Sequence, residues 1–373
     1  MDDKNFLNSI PFSNLAGSRL SVILRLYKKH TIHGRYVHLA ILNAMIALLL
    51  SFPRMIERII WKFKLKNTNE QTPPLFILGH WRSGTTHLHN LFCLDDRAGF
   101  TTTYQTVFPN NLLVLRKLMK SLMKLLMPPT RPVDNMPLKP NLPQEEEFGM
   151  GNLSKICYYH WFYFPADANY FSTQYLTLQT LNPEQKKEWK LVYKSLIQKS
   201  LYRQRKTWYV SKNPPNTSRI PLLLETFPNA KFIHIQRNPY QVFESSMRFF
   251  SAVIVPLQLQ RFTEEELESH ILEVFCKIYD NYESSKSQLK SNQIFEIKYE
   301  DLIGKESDYM NHIYKNLEIN IPDGLLEKWR NGTVKNDRPD RKYSARTVRL
   351  VNDALGKRIE EMGYSIEHPN DYK

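Results

Sequence analysis

The sequence predicts an α/β fold in which three layers, α/β/α, surround a central parallel sheet. Two observations lead to this class. Apolar runs of strand length, such as "LFILG", end in polar or glycine-containing turns, which is typical of buried parallel strands. Most of these runs are followed by a segment of helical pattern, and strands that alternate with helices favour a parallel sheet with right-handed crossovers. The 373 residues suffice for one large α/β domain or two modest ones.

The N-terminal region, residues 1–70, is basic and helical in pattern. We expect it to pack on the core of a single domain that spans residues 71–373. Its most apolar run, "YVHLAILNAMIALLLSFP" (residues 36–53), is shorter than the roughly 20 apolar residues that a membrane-spanning helix needs. The run therefore predicts a buried or interfacial helix, with a single signal anchor as the alternative. The first residues lack the basic start and apolar run of a signal peptide.

Strand, turn and helix follow one another in three segments: "PLFILGHWRSGTTHLHNLF", with its helix starting near Ser83, "WYVSKNPPNTSRI" and "AKFIHIQRNPYQVFESSM". A fourth segment, "QIFEIKYEDL", is a strand that ends in a loop. In parallel sheets ligands bind at the carboxyl ends of the strands. We therefore expect the strand-end sequences "GHWRSGTT", "SKNPP" and "QRNPY" to converge on one site.

Three further segments lie between the first two of these strands. Residues 110–129 predict an amphipathic helix that packs on the core, and contact of its basic, Met-rich face with a membrane or a lipophilic substrate is the alternative. "PQEEEF" predicts a helix start, with Pro143 in the first turn and three glutamates favoured by the helix dipole. "CYYHWFYFPADANYF" is dense in aromatic residues, which is typical of core or of the wall of an apolar pocket.

The chain is strongly basic, with 51 Lys and Arg against 37 Asp and Glu and a net charge of +14. This surplus suits an anionic partner, such as a nucleotide, a nucleic acid or a membrane surface. The 3 cysteines are widely spaced, without a CxxC pair, so neither a metal site nor a disulfide framework is predicted. A reducing cytoplasm is the compartment that this pattern favours.

The first strand-end loop has the features of an anion-binding site. Gly79, four further residues and Gly84 lead into a helix whose first amides and dipole attract an anion, and Thr85 and Thr86 add hydroxyl donors. A nucleoside-triphosphate P-loop would have lysine directly after the second glycine. Here the cation, Arg82, is inside the loop, and no obvious aspartate for magnesium follows. These departures argue against an ATPase and leave charge neutralisation to side chains such as Arg82, Lys212 and Arg237.

These motifs resemble those of the sulfotransferases that use 3′-phosphoadenosine 5′-phosphosulfate (PAPS). "GHWRSGTTHLHNLF" is similar to their 5′-phosphosulfate loop, and "QRNPYQVFESSM" to their 3′-phosphate motif, an arginine with a serine eight residues later. "IKYEDL" resembles the segment whose tyrosine contacts adenine, and "DRPDRKYS" the basic loop over the 3′-phosphate. The resemblance spans residues 75–345 and implies a P-loop-like fold, PAPS as co-substrate, and neither a metal nor a nucleic-acid partner.

Carried over residue by residue, the resemblance implies a cofactor site and a catalytic set. The cofactor-binding candidates are Arg82, Ser83, Gly84, Thr85, Thr86, His87, Arg237, Ser245, Tyr299, Arg341 and Lys342. His87 stands where many members stack a tryptophan on adenine, so that contact is in doubt.

The catalytic candidates follow from what sulfuryl transfer requires. Arg82 suits the leaving phosphate, and Lys212 suits the bridging oxygen. Many members carry a histidine base two residues after this lysine, where the present chain has Pro214. "PQEEEF" resembles the PxE pattern of other branches of the family that lack this histidine and use a glutamate, which implies Glu145 as the base and Glu147 as the second candidate. Adjacent carboxylates repel, which tends to raise one pKa toward a useful value. The histidines at positions 80, 160 and 234 are alternatives.

The acceptor is expected to be a lipophilic alcohol, such as a sterol, steroid or lipid. Residues 95–205 should shape its site, and they are rich in aromatic residues, Leu and Met. A carbohydrate, a glycolipid or a protein tyrosine is the second choice of acceptor. The alternatives of other classes are a P-loop kinase and a non-enzymatic protein that binds membrane surfaces, while the oligomeric state is left open.

Overall fold

The computed structural model describes residues 13–64, 72–130, 133, 137–331 and 343–372. Arg341 and Lys342, which were predicted to bind the cofactor, lie outside the described residues. The chain forms two compact units. We call them the helical unit (Met1–Gln71, Gly99–Lys206 and Phe249–Glu266) and the sheet unit (Thr72–Ala98, Thr207–Arg248 and Leu267–Lys373). The predicted division at residue 70 stays a prediction.

The sheet has five strands in the order β2-β3-β1-β4-β5. Their bounds are β1 Thr72–Leu78, β2 Ala98–Gly99, β3 Trp208–Lys212, β4 Lys231–Gln236 and β5 Ile294–Lys298. The pairs β1–β3, β1–β4 and β4–β5 are parallel. The predicted parallel sheet is thus confirmed, and the four strands predicted from apolar runs are β1, β3, β4 and β5.

The helices, in chain order, are α1 Leu20–Lys29, α2 Val37–Leu49, α3 Ser51–Lys64, α4 Thr85–Phe92, α5 Thr103–Val107, α6 Arg116–Leu126, α7 Glu146–Leu153, α8 Ala168–Phe171, α9 Pro183–Gln204, α10 Ile220–Thr226, α11 Pro239–Ile254, α12 Glu264–Lys286, α13 Tyr299–Leu302, α14 Glu306–Asn316, α15 Leu325–Asn331, α16 Ala345–Leu355 and α17 Arg358–Glu361. Capping residues set several of their starts. Asn182 and Gln185 form a capping box at α9, and Thr102 and Gln105 form one at α5.

The sheet unit buries both faces of β1, because alternate side chains of a strand point to opposite faces. Leu75 and Ile77 belong to a core cluster with apolar residues of α4, α14 and α15. Phe76, between them, stacks on Phe232 and lies against Phe227. A strand covered on both faces requires the continuous apolar run from which it was predicted.

The prediction of one helix over residues 36–53 is wrong, because the run is divided between α2 and α3 at Leu50. The carbonyl of Ala47 accepts hydrogen bonds from the Ser51 hydroxyl (2.8 Å) and from the Arg54 guanidinium (3.3 Å), which holds the break. Among the described residues no single helix could span a bilayer by length and composition, although residues 34–64 pass that test as a pair of helices bent by 45°.

The helix predicted over residues 110–129 begins only at Arg116, because Glu57 of α3 binds the preceding turn. Its carboxylate accepts from the backbone amides of Leu112 (2.7 Å), Leu113 (2.9 Å) and Val114 (3.1 Å), and from the Trp61 indole (2.9 Å). Four donors on one buried carboxylate offset the cost of burying its charge.

Two finer predictions about these segments need correction. Only one apolar stripe of α6, around Met123, packs in a core cluster of the helical unit, and a second stripe that includes Leu118 and Leu125 is exposed. Pro143 does not lie in the first turn of α7. It forms an isolated antiparallel bridge with Thr102, and Glu145 is the N-cap.

We expect the Glu57→Gln variant to lose about 2–4 kcal/mol of unfolding free energy, because three amides and the indole lose a charged acceptor in a buried site. The measurement is urea unfolding followed by circular dichroism. The exposed Glu360→Gln is the matched control, and an unfolding midpoint equal to the wild type in Glu57→Gln would contradict the role assigned to this carboxylate.

Candidate active site

The loop from Gly79 to Gly84 connects β1 to α4 in the sheet unit. Gly79, Arg82 and Gly84 all have positive φ angles, of 143°, 68° and 101°. The hydroxyl of Thr217 fixes the start of the loop, because it accepts from the Gly79 amide (2.8 Å) and donates to the Gly79 carbonyl (3.2 Å). The position of this loop relative to β3 therefore depends on a residue 138 positions away in sequence.

Tyr299, the first residue of α13, covers the end of the loop. A Cβ atom built at Gly84 would lie 2.3 Å from Cδ2 of Tyr299, so the ring occupies the space that any other side chain would need. The guanidinium carbon of Arg237 lies 4.4 Å from the centre of the same ring, within the range of a cation–π interaction. One aromatic ring therefore contacts both the loop and the arginine that follows β4.

Arg82 and Ser245 are joined directly. Nε of Arg82 donates to Oγ of Ser245 at 2.9 Å, across 163 positions of sequence. Arg237 is oriented by Gln241, whose amide oxygen accepts from its Nη2 (2.8 Å) and Nε (3.2 Å). The two motifs predicted to bind the 5′ and 3′ ends of one nucleotide thus lie side by side.

The first turn of α4 is a site suited to an anion. Its N-cap, Gly84, has no side chain to accept from the amides of the turn, and such amides and the helix dipole favour negative charge. The Ser83 hydroxyl donates to the His80 carbonyl at 2.8 Å and therefore stabilises the loop.

Lys212, the last residue of β3, is buried. It lies beside β1, where its Cα is paired with that of Ile77. Burial, and then the charge of Lys212, lower the pKa of His89 to about 3, so His89 is neutral at pH 7. Nε2 of this histidine lies 3.3 Å from the Val210 carbonyl. His89 therefore contributes no positive charge beside Lys212.

His80 and His234, the alternative bases of the sheet unit, are also buried and neutral. Burial lowers the pKa of His80 to about 4 and that of His234 to about 3. His80 stacks on Phe275 and His234 on Tyr282. Both line a small cavity of about 30 Å³, enough for an ordered water. Aromatic packing of both rings favours a structural role.

His87 lies in the first turn of α4, and its Nε2 is 3.3 Å from the Glu306 carboxylate. Burial lowers its pKa, while Glu306 opposes the shift. The ring is thus directed by a buried acidic partner.

In the helical unit, the predicted base candidates differ in their surroundings. Oε2 of Glu145 accepts a hydrogen bond from the Tyr159 hydroxyl, and 9% of the residue is exposed. Glu147 is fully buried, and its Oε1 accepts from the Tyr158 amide at 2.9 Å. The predicted helix-start role is confirmed for both, since Glu145 caps α7 and Glu147 lies in its first turn.

The aromatic segment forms the core of the same unit. Tyr158, Tyr159, Trp161 and Phe162 are buried and pack on one another. His160, the third histidine considered as base, is buried among them, and burial lowers its pKa to about 4. Among the residues with described positions, no group of three or more His, Cys, Asp or Glu side chains is arranged to hold a metal ion.

Residues 73–323 match the model of the family described as "Sulfotransferase family". This chain belongs to the sulfotransferase family. The predicted family and enzyme class are thereby confirmed.

Known sulfotransferases resemble it over nearly its whole length. The omega-hydroxy-beta-dihydromenaquinone-9 sulfotransferase Stf3 of Mycobacterium bovis is 29% identical over 360 residues, which are 95% of this chain and 92% of that protein. The crystal structure of sulfotransferase STF9 from Mycobacterium avium superimposes with a TM-score of 0.65 at 17% identity, covering 84% of this chain and 82% of that one.

A second structure, sulfotransferase STF1 from Mycobacterium tuberculosis H37Rv, gives a TM-score of 0.63 at 15% identity and covers 95% of this chain and 93% of that one. These likenesses confirm the predicted P-loop-like fold.

Two residues that position the site of this sulfotransferase were missed from the sequence. Thr217 holds Gly79, and Gln241 holds Arg237. Thr217 lies two residues after "SKNPP", the strand-end sequence that was predicted to converge on the site, but nothing local indicates that its hydroxyl contacts another loop. Gln241 lies four residues after Arg237 on the first turn of α11, a spacing that permits the contact.

We expect Gly84→Ala to weaken binding of adenosine 3′,5′-bisphosphate at least tenfold. The added methyl overlaps the Tyr299 ring, and alanine is strained at a φ of 101°. Isothermal titration calorimetry measures the affinity, and thermal unfolding reports the accompanying loss of about 1–3 kcal/mol. Gly34→Ala is the control, since a Cβ there meets nothing within 4 Å. Unchanged affinity in Gly84→Ala would exclude this loop from the nucleotide site.

Proposed function

We propose that this sulfotransferase transfers the sulfuryl group of PAPS to the hydroxyl of a lipophilic alcohol. The observation that carries the proposal is the 2.9 Å hydrogen bond between Arg82 and Ser245, because it joins the loop suited to a 5′-phosphosulfate to the motif suited to a 3′-phosphate. The Gly84 N-cap and the cation at Arg237 fit the same nucleotide, which carries negative charge at both ends.

In this proposal, several groups of the PAPS-binding site share the negative charge of the nucleotide. Arg82 and the amides of Ser83, Gly84, Thr85 and Thr86 bind the 5′-phosphate and neutralise it as it leaves. Arg237 and Ser245 bind the 3′-phosphate, and Arg341 and Lys342 join them in this proposal. Tyr299 and His87 border the adenine. The buried ammonium of Lys212 donates to the bridging oxygen, where negative charge develops in the transition state.

The transfer is an in-line displacement at sulfur. The acceptor oxygen forms a bond to sulfur while the bond from sulfur to the 5′-phosphate oxygen breaks, and adenosine 3′,5′-bisphosphate leaves. The acceptor proton passes to a carboxylate, for which we propose Glu145. Glu145 keeps some exposure and is oriented by the Tyr159 hydroxyl, whereas Glu147 is sealed and bonded to a backbone amide. Glu147 remains the second candidate.

A lipid alcohol is the acceptor class that we favour. The name of the Mycobacterium bovis relative indicates a hydroxylated dihydromenaquinone, a lipophilic alcohol, as its substrate. Residues 157–171 of the present chain are largely aromatic and mostly buried, a composition that matches such an acceptor. Carbohydrates, glycolipids and protein tyrosines are the alternative acceptors that a substrate panel would identify.

We also propose peripheral contact with a membrane, through apolar side chains of the helical unit. Leu49 of α2, Phe63 of α3 and Leu125 of α6 are 76%, 70% and 80% exposed. Each belongs to a set of neighbours that are also exposed, such as Phe52 and Leu118. Clusters of large exposed apolar residues favour an interface, and a bilayer would supply both a surface for them and a lipid acceptor.

We expect purified protein with PAPS and a panel of sterols, lipid alcohols, phenols and sugars to yield a product heavier by one sulfuryl group, detected by mass spectrometry. Arg82→Ala and Lys212→Met should reduce the rate at least 1000-fold, since each removes a charge that the transition state requires. Methionine is close to lysine in size, so we expect the Lys212→Met variant to fold normally. The exposed Arg349→Ala and Lys315→Ala are the matched controls.

Two outcomes would argue against this function. Transfer to no acceptor, together with no detectable binding of adenosine 3′,5′-bisphosphate, would refute the donor assignment. Magnesium-dependent turnover of ATP that continues without PAPS would support the kinase alternative instead.

The base is tested by comparing Glu145→Gln with Glu147→Gln. We expect Glu145→Gln to lower kcat about 100- to 10,000-fold with a near-normal unfolding temperature, because a general base contributes in that range. Glu147→Gln should mainly lower the unfolding temperature, since its carboxylate holds the Tyr158 amide. The opposite pattern would assign the base to Glu147, and normal turnover in both would exclude this cluster.

A further inference from the structure

A basic cleft of about 840 Å³ lies within the helical unit, among residues of α1, α3, α9 and the segments next to them. Its lining includes five cations and a single carboxylate: Arg19, Arg54, Arg58, Lys62, Lys199 and Glu57. None of these residues has a role in the sulfuryl transfer proposed above. The volume is that of a typical pocket for a small organic ligand.

The one acidic side chain of the cleft, Glu57, can offset only one of its five positive charges. Both carboxylate oxygens of Glu57 are engaged by the Trp61 indole and the backbone amides that precede α6. Arg54 donates to the carbonyls of Gly17 (3.0 Å) and Ala47 (3.3 Å), which are neutral acceptors. The cleft therefore carries an excess of positive charge that a bound anion would neutralise.

The cations also lower one another's pKa. Burial, and then the charge of Arg19, lower the pKa of Arg54 to about 10. Burial is also the main cause that lowers the pKa of Lys199 to about 8, with Glu57 opposing and Arg19 contributing. Arg19 itself is lowered by burial and by Arg58, against the attraction of Glu188. A bound anion would reduce this mutual repulsion.

Apolar membrane-facing side chains continue from the cleft along α3. Met55, which lines the cleft, is more than half exposed, as are Phe52 and Ile59 on the same helix. Arg58 and Lys62 are exposed on this helix too. A ligand that has a negative headgroup attached to apolar chains matches this arrangement, whereas a free phosphate would use only the charged part.

We propose that this cleft binds the phosphate headgroup of an anionic phospholipid while the apolar side chains of α2, α3 and α6 enter the same leaflet. The proposal rests on the membrane contact proposed above. It assigns the recognition of lipid charge to a defined cleft, separate from the residues that bind the sulfuryl donor.

The test measures binding to vesicles of phosphatidylcholine, with and without phosphatidylglycerol, by flotation. We expect the wild type to bind anionic vesicles more tightly than neutral ones. Arg58→Ala/Lys62→Ala should lose that preference at least tenfold, because each cation near an anionic surface contributes roughly fivefold and the two together exceed tenfold. The control Arg25→Ala/Lys28→Ala removes the same charge from exposed positions of α1, and its binding should change less than threefold. Equal losses of vesicle binding in both double variants would contradict a headgroup site in the cleft and would indicate nonspecific electrostatic attraction to the membrane instead.

Two further experiments distinguish the headgroup site from the membrane contact on which it rests. Leu49→Ser/Leu125→Ser should weaken binding to both kinds of vesicle. If the wild type binds no vesicle at all, the proposed membrane contact is refuted.

The cleft can be tested without a membrane by titrating monomeric dihexanoyl-phosphatidylglycerol in a calorimeter. If this lipid does not bind, the proposed headgroup site is refuted. Inorganic phosphate that binds as tightly as this lipid would show a free-phosphate site and also contradict the proposal. Sulfuryl transfer to a water-soluble acceptor should be unchanged in Arg58→Ala/Lys62→Ala.

Discussion

The hydroxyl of Thr217, bonded to both the amide and the carbonyl of Gly79, fixes where the loop after β1 begins. The rest of the loop and the residues that contact it depend on that position. From there the backbone passes through three positive φ angles to reach α4, and the absence of a side chain at Gly84 admits the Tyr299 ring. Because the same ring lies under Arg237, the loop, β4 and α13 share one set of contacts. Close packing gives this loop its shape.

Burial also decides which groups of the sheet unit carry charge. His80, His89 and His234 have pKa values near 3 or 4 because their rings are enclosed, so they are neutral at physiological pH. These three rings therefore contribute no positive charge to the surroundings of the loop.

Elements whose structure depends on local sequence pattern could be predicted. Apolar runs predicted four strands of the parallel sheet, and the start of α4 was placed within two residues. The resemblance to a family correctly indicated the sulfotransferase class. What could not be predicted depends on contacts between distant residues. Glu57 delays the start of α6 through amides 55 to 57 positions away, and Ser51 with Arg54 divides a continuous apolar run. No local propensity reports such contacts.

The distribution of sequence between the two units has a consequence for how the enzyme could diversify. All the described donor motifs belong to the sheet unit, whereas the aromatic segment over residues 157–171 belongs to the helical unit. Within the helical unit this segment packs mainly on itself and on neighbours such as Phe250. Substitutions there leave the Thr217–Gly79 bonds of the sheet unit untouched. Under the function proposed above, an evolving lineage or a directed library could therefore vary its acceptors while the residues proposed to bind the nucleotide are inherited intact.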